Sequence, residues 1–252
     1  MKKLVAFIFT MNVSLLVIAQ DNSQQKNVWG GKLEESEVDL SLDLQSKYVW
    51  RGMEMMIEKS SPVLFPSISY NHNGLNAYIM GGYSTNGLYS EVDLGISYSY
   101  KWLTIALNDY YYPTTTIAND NYFDFRSNKT GHWLEGTLTI APEKVPVYFL
   151  LSNFFYGADK NVEGRQAYST YVEIGTHYDF MDNNCLALVI GAALNKSCYN
   201  GYEQGFGICN VELKYTHNVN FANDWKLPLN VAYIINPIRE KSFVNFSTSI
   251  AF

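Results

Sequence analysis

Charge is scarce in this chain: Asp, Glu, Lys and Arg make up 17% of its 252 residues, and the balance is acidic, with a formal net charge of −6. A nucleic-acid-binding surface is basic, so nucleic acid is not an expected partner. There are 4 His and 3 Cys, spread thinly. Metal ligation needs convergent His, Cys or carboxylate ligands, and no such spacing is visible, so no metal or cofactor is expected. A nucleophile elbow is also missing, so no catalytic residue is assigned. No segment sustains a 3.6-residue apolar period, which removes the usual signature of packed helices. Beyond the first nineteen residues no apolar run approaches the ~20 residues of a spanning helix.

Those first nineteen residues read as a targeting segment. Lys2 and Lys3 form a positive start, Leu4–Ile18 is mostly apolar, and Val17 and Ala19 give the small-residue spacing of a cleavage site. The expected organisation is a signal peptide over 1–19, a polar periplasmic lead over 20–36, and one domain over 37–252. No linker divides that last stretch.

What the chain has in quantity is aromatic residues, with 20 Tyr and 14 Phe, and strict two-residue alternation. In Glu37–Gly52, Val38, Leu40, Leu42 and Leu44 alternate with Asp39, Ser41, Asp43 and Gln45, and Tyr48 and Trp50 keep the phase. Successive side chains of an extended chain point to opposite faces, so one face is apolar and the other polar. The run is longer than an ordinary strand of about 5–6 residues and suits a tilted membrane-spanning strand of about 9–11. Tyr48 and Trp50 stand where an aromatic girdle belongs. The same pattern predicts strands near 37–50, 62–71, 75–85, 89–100, 102–112, 132–141, 145–156, 167–180, 185–195, 206–217, 225–236 and 242–252.

Short connections at Asn71–Gly74, Lys101, Pro142–Pro146 and Met181–Asn184 alternate with longer polar ones at Gly52–Ser61, Pro113–Gly131, Gly157–Gln166 and Lys196–Gly205. Asn86–Leu88 and Asn218–Asp224 depart from that alternation. Short periplasmic turns and long extracellular loops mark an outer-membrane barrel. The expected fold is therefore all-β: a twelve-stranded antiparallel transmembrane (outer-membrane) β-barrel, exported to the cell outer membrane. Its expected partners are outer-membrane lipid, the barrel-assembly machinery and small polar solutes. Phe252 ends the last strand in phase with Phe246, Thr248 and Ile250, as an assembly signal would.

Val38–Pro113 also resembles the TorF-like (gcw_chp) family of bacterial outer-membrane β-barrel proteins. The resemblance rests on Ser46-Lys47-Tyr48-Val49-Trp50-Arg51-Gly52, Pro62 and the strand to Tyr70, Gly74-Leu75-Asn76-Ala77-Tyr78, Glu91-Val92-Asp93-Leu94 and Tyr110-Tyr111-Tyr112-Pro113. It covers about a third of the chain. It implies a single barrel from a signal-bearing precursor and brings no catalytic motif.

An apolar outer band leaves the alternate positions facing a lumen. The charged or titratable ones are Asp39, Asp43, Lys47, Arg51, Glu91, Asp93, Glu135, Glu173, His177, Asp179, Glu212 and Lys214. They describe either a polar conduit with an acidic bias or ion pairs that stiffen a filled interior. Acids outnumber bases. Carboxylates without a basic partner cannot stay ionised in a dry interior, so the surplus predicts a wet, cation-favouring lumen.

His177 with Glu173 and Asp179 is the one histidine cluster. His132 falls near the outer rim among Ser and Thr residues, where a hydrolase site would sit. Cys198–Cys209 could pair across a loop, although the phase of Cys209 points it toward lipid and favours free, buried thiols. The expected role is a porin-like channel or transporter for small polar solutes. The competing roles are a non-conducting barrel of surface or envelope function and, last, an outer-membrane hydrolase.

Overall fold

The computed structural model describes residues 37–56, 60–113, 121–221 and 226–252. The signal peptide and periplasmic lead expected over 1–36 lie outside them. Twelve strands form one closed antiparallel barrel: β1 (Glu37–Gln45), β4 (Val63–His72), β5 (Leu75–Ser84), β6 (Ser90–Tyr100), β7 (Leu103–Tyr111), β8 (His132–Ile140), β9 (Val147–Gly157), β10 (Thr170–Phe180), β11 (Asn184–Ala193), β12 (Gly207–Asn220), β13 (Lys226–Asn236) and β14 (Lys241–Ala251). Each strand pairs with its sequence neighbours, and β1 meets β14 to close the ring. Closure leaves no unpaired strand edge, which a barrel in hydrocarbon requires. Two further short strands, β2 (Val49–Trp50) and β3 (Met53–Glu54), pair only with each other.

The outside is apolar. Leu40, Leu44, Ile68, Ile79, Ile96, Ile105, Leu107, Ile174, Leu213 and Leu229 are all exposed, and each lies on the outward phase of its strand. So many exposed aliphatic side chains would be costly in water and are stable against lipid tails. Tyr70, Tyr98, Tyr100, Trp102, Tyr178, Phe221 and Phe252 are exposed around the rim that carries both strand termini, and they supply its aromatic girdle. Connections at this rim are tight: Asn73–Gly74, Lys101 and Met181–Asp182 adopt positive φ. β12 runs on to Asn220, so the connection expected over Asn218–Asp224 begins later.

Two expectations fail. The first strand ends at Gln45 rather than near residue 50, and Tyr48 and Trp50 belong to no outer girdle: both are buried, at 2% and 3% exposure. The chain leaves the wall where the Asn245 Oδ1 of β14 accepts hydrogen bonds from Ser46 Oγ (3.0 Å) and Lys47 N (3.1 Å). It then turns back at Arg51 (φ 48°) and Gly52 (φ 77°), the paired positive φ values of a tight hairpin turn. Cys209 does not face lipid. The β11–β12 register shifts between Gly191 and Ala192, pairing Gly191 with Asn210 and Ala192 with Ile208, so Cys209 is the extra residue of a bulge and turns inward, fully buried.

Candidate functional site

The β2–β3 hairpin folds into the lumen and fills the half nearer the long loops. Tyr48, Trp50, Met53 and Met56 join one buried cluster with Phe65, Met80, Tyr110, Leu150, Phe154, Tyr171 and Tyr199. Val49 points the other way, against Ala232, Ile234 and Phe243. Trp50 touches Tyr110, Phe154 and Tyr199 with ring centroids 5.7–6.1 Å apart. Gly52 is required at the tip. A Cβ there would stand 1.9 Å from the Cys209 carbonyl oxygen, and the Gly52 carbonyl accepts a 3.0 Å bond from Asn236 Nδ2.

Arg51 is the polar centre of this plug. Its guanidinium meets the Glu135 carboxylate at 2.5 and 3.2 Å, a bidentate contact, and donates to the Tyr199 hydroxyl at 2.5 Å. It also lies over the Trp50 and Tyr171 rings, at 4.5 and 4.7 Å from their centroids. Arg51 is 4% exposed and Glu135 0%. Glu135 accepts further bonds from Tyr110 Oη (2.9 Å) and Thr137 Oγ1 (3.3 Å). A buried ion pair endures only when its remaining lone pairs are satisfied, as they are here.

The other charged positions fall into distinct environments. Lys47 lies past the end of β1, with its ammonium 5.7 Å from the Phe243 ring centroid, and pairs with Glu54 across the open end of the hairpin at 2.5 Å. Glu173 accepts from the Tyr148 and Tyr171 hydroxyls, each at 2.5 Å, and Glu91 from Tyr89 at 2.5 Å. Asp43 accepts from the Ser249 hydroxyl, and Asp39 from Asn71 Nδ2 at 2.6 Å. Glu212 and Lys214 approach to 3.8 Å along β12. His177 and Asp179 stand 4.0 Å apart and half-exposed near the terminus-bearing rim, separate from the buried Glu173. The acidic surplus is met in part by neutral donors: four of the eight acids, Asp39, Asp43, Glu91 and Glu173, accept from asparagine, serine or tyrosine groups.

Sequence reasoning missed those donors. A signal existed, since Tyr89 and Tyr171 each stand two residues before an inward glutamate and so share its face. It also missed the tie between two long loops. Asp159 accepts from Ser169 N (2.7 Å), Ser169 Oγ (2.6 Å) and Tyr202 Oη (3.1 Å), while Cys198 N donates to Ser169 Oγ at 3.0 Å. Burial pushes the Cys198 thiol well above its ordinary range, which keeps it protonated and unreactive. Cys185, Cys198 and Cys209 are all free.

His132 lies on the outer wall, not in the lumen, buried beneath Tyr122 and Phe125. Its Nδ1 is 2.8 Å from both Asp109 carboxylate oxygens, and its Nε2 is 2.6 Å from the Tyr122 carbonyl oxygen. Both nitrogens thus face acceptors, and neither has a hydroxyl nucleophile as its partner. The arrangement clasps a loop to the barrel.

The chain matches no family model and no curated protein. Among solved structures it is similar to the KdgM porin (10% identity, 86% of this chain and 98% of that one, TM-score 0.45) and to the NanC porin (12%, 86% and 99%, 0.46). It is also similar to the COG4313 outer membrane channel from Pseudomonas putida F1 (11% identity, 88% of this chain and 97% of that one, TM-score 0.41). All three are remote likenesses.

Proposed function

We propose that the protein is an outer-membrane channel of narrow bore, porin-like, for small polar solutes, with the β2–β3 hairpin as its constriction. The observation that carries this reading is the division of the interior. Toward the terminus-bearing rim the inward residues are small and polar, and Ser41, Ser67, Ser69, Asn76, Thr104, Lys214 and Thr216 are partly accessible, whereas the far half is filled by one hairpin. A solute path that is polar for half its length and stopped by a single inserted element is the layout of a constricted channel. The excess of inward acids favours cations.

The buried ring of aromatics favours the second reading, a non-conducting barrel. Conductance in a planar bilayer separates the two. The native protein gives small, cation-selective steps that weaken with Asp43→Asn and Glu173→Gln, and replacing Tyr48–Glu54 by a short Gly-Ser link enlarges them. Silence from both proteins establishes the non-conducting barrel, and anion selectivity overturns the assignment of the acidic lumen.

The same proposal sets the barrel in outer-membrane lipid with both strand termini toward the periplasm, delivered by a cleaved signal peptide and the barrel-assembly machinery. Phe252 is 80% exposed at the end of the closing strand, where such machinery would meet it. Deleting it lowers the folded amount in the outer membrane. Native levels after deletion remove Phe252 from that role.

A further inference from the structure

One pair of inward acids differs from all the others. Asp93 is 0% exposed, and neither of its carboxylate oxygens has a hydrogen-bond partner. Glu91, two residues earlier on the same face of β6, is also 0% exposed; one of its oxygens takes the Tyr89 hydroxyl and the other has no partner. Three carboxylate oxygens thus remain unanswered on adjacent inward positions about 7 Å apart along the strand. Other buried acids of this barrel have donors.

The surroundings offer no base. The cross-strand neighbours of Asp93 are Met80 on β5 and Tyr110 on β7, each 2% exposed, and the Tyr110 hydroxyl is already given to Glu135. Tyr78 on β5 gives its hydroxyl to Asn108 Oδ1 at 3.2 Å and not to Asp93. Arg51 is committed to Glu135 and Tyr199. Two glycines let these side chains lie close against the wall: a Cβ at Gly82 would stand 2.6 Å from Glu91 Cγ, and one at Gly95 would stand 2.0 Å from Cε1 of the Tyr78 ring.

We propose that Glu91 and Asp93 form a binding site for a hard, oxygen-seeking inorganic cation on the lumen wall beside the hairpin. The chemistry follows from the donors: carboxylate oxygens select alkali and alkaline-earth ions over thiolate- and imidazole-seeking metals. No group of three or more His, Cys, Asp or Glu side chains gathers among the described residues, so water and phenol oxygens complete the shell. A two-carboxylate site belongs in the weak range, roughly 10⁻⁴–10⁻³ M for calcium, which suits an ion in passage better than a structural ion. Tyr48 of the hairpin packs edge-on against Tyr89, the donor to Glu91, with ring centroids 5.5 Å apart, so the element that narrows the lumen covers the site. Access to the site, though not its chemistry, rests on the channel reading.

The test is equilibrium binding to the full barrel in detergent micelles at pH 7, with calcium as the probe and choline chloride holding ionic strength constant. Calcium titrated by calorimetry binds the native protein with one site in the submillimolar to millimolar range, and the apparent unfolding midpoint rises by a few degrees at tenfold excess over that constant. Asp93→Asn and Glu91→Gln each abolish both effects, while Asp179→Asn, at the half-exposed rim, leaves them. If one variant does not fold, the other decides. No binding to the native protein, or binding that survives both substitutions, overturns the site. Proton uptake without any cation dependence also overturns it, because the pair is then two acids sharing a proton. Binding in a protein that is silent in bilayers sinks the channel and leaves the site; conduction without binding does the reverse.

Discussion

The two halves of the lumen are enclosed by the same strands, yet they follow opposite rules. Near the long loops, Arg51 and Glu135 sit at 4% and 0% exposure inside an aromatic shell, bonded to each other and to the Tyr199, Tyr110 and Thr137 hydroxyls. Near the termini, His177 and Asp179 stand 4.0 Å apart at 42% and 51% exposure, and their partners across the β10–β11 ladder are Ala187 and Cys185. The same ionic groups therefore carry different weight. A charge sealed from water depends wholly on its partner, and one at a wet rim hardly depends on it.

The largest expected effect comes from breaking the sealed pair. Glu135→Ala leaves the Arg51 guanidinium buried and uncompensated, at a cost of about 3–5 kcal/mol, read as a large fall in the denaturant midpoint of the refolded barrel. A loss no larger than that of a rim variant would erase the distinction between the halves. Next is the outer surface, where Leu229→Arg puts a charge against lipid at about 2–4 kcal/mol and lowers the folded yield, whereas Ser97→Arg, which points inward near the termini, is tolerated. Equal yields would mean that the two faces are misassigned.

Gly52→Ala sharpens the comparison from the backbone side. The added Cβ collides with the Cys209 carbonyl and asks for an unfavourable positive φ, costing more than about 1 kcal/mol. We expect the hairpin to become susceptible to protease while the wall stays intact. Protection unchanged from the native protein would show that the tip is not tightly seated. The smallest effect is at the rim: Asp179→Asn shifts stability by no more than about 1 kcal/mol, measured by the same denaturant titration.

The wall was legible in the sequence because two-residue alternation is a local property, and each of the twelve segments shows it within its own length. The plug was not. Tyr48 and Trp50 keep the phase of β1 because the hairpin is itself extended, so the alternation continues across the point where the chain leaves the wall. What draws it inward is remote: Glu135 lies 84 residues from Arg51, and Asn245 lies 199 from Ser46. Cys209 was misplaced for a related reason, since a bulge changes the phase by one residue and leaves no mark in composition. The donors to the inward acids were only half hidden. Tyr89 and Tyr171 announce themselves by spacing, but Tyr148 reaches Glu173 from the neighbouring strand, a pairing that alternation within one strand does not describe.

The ring is not equally strong all the way round. β12 and β13 are matched over ten residue pairs, while β1 and β14 are matched over five, Ser41↔Ala251 to Gln45↔Ser247. That short join is extended at one end by mutual backbone bonds between Leu40 and Phe252, and at the other by Ser46 N donating to the Phe246 carbonyl. It is the clasp of the hoop, matched over fewer residue pairs than any other join of the ring, and we expect it to part first under sideways load. The inserted hairpin hangs from this clasp, because Asn245 of β14 holds Ser46 and Lys47. Opening the clasp and drawing out the plug are therefore one mechanical event.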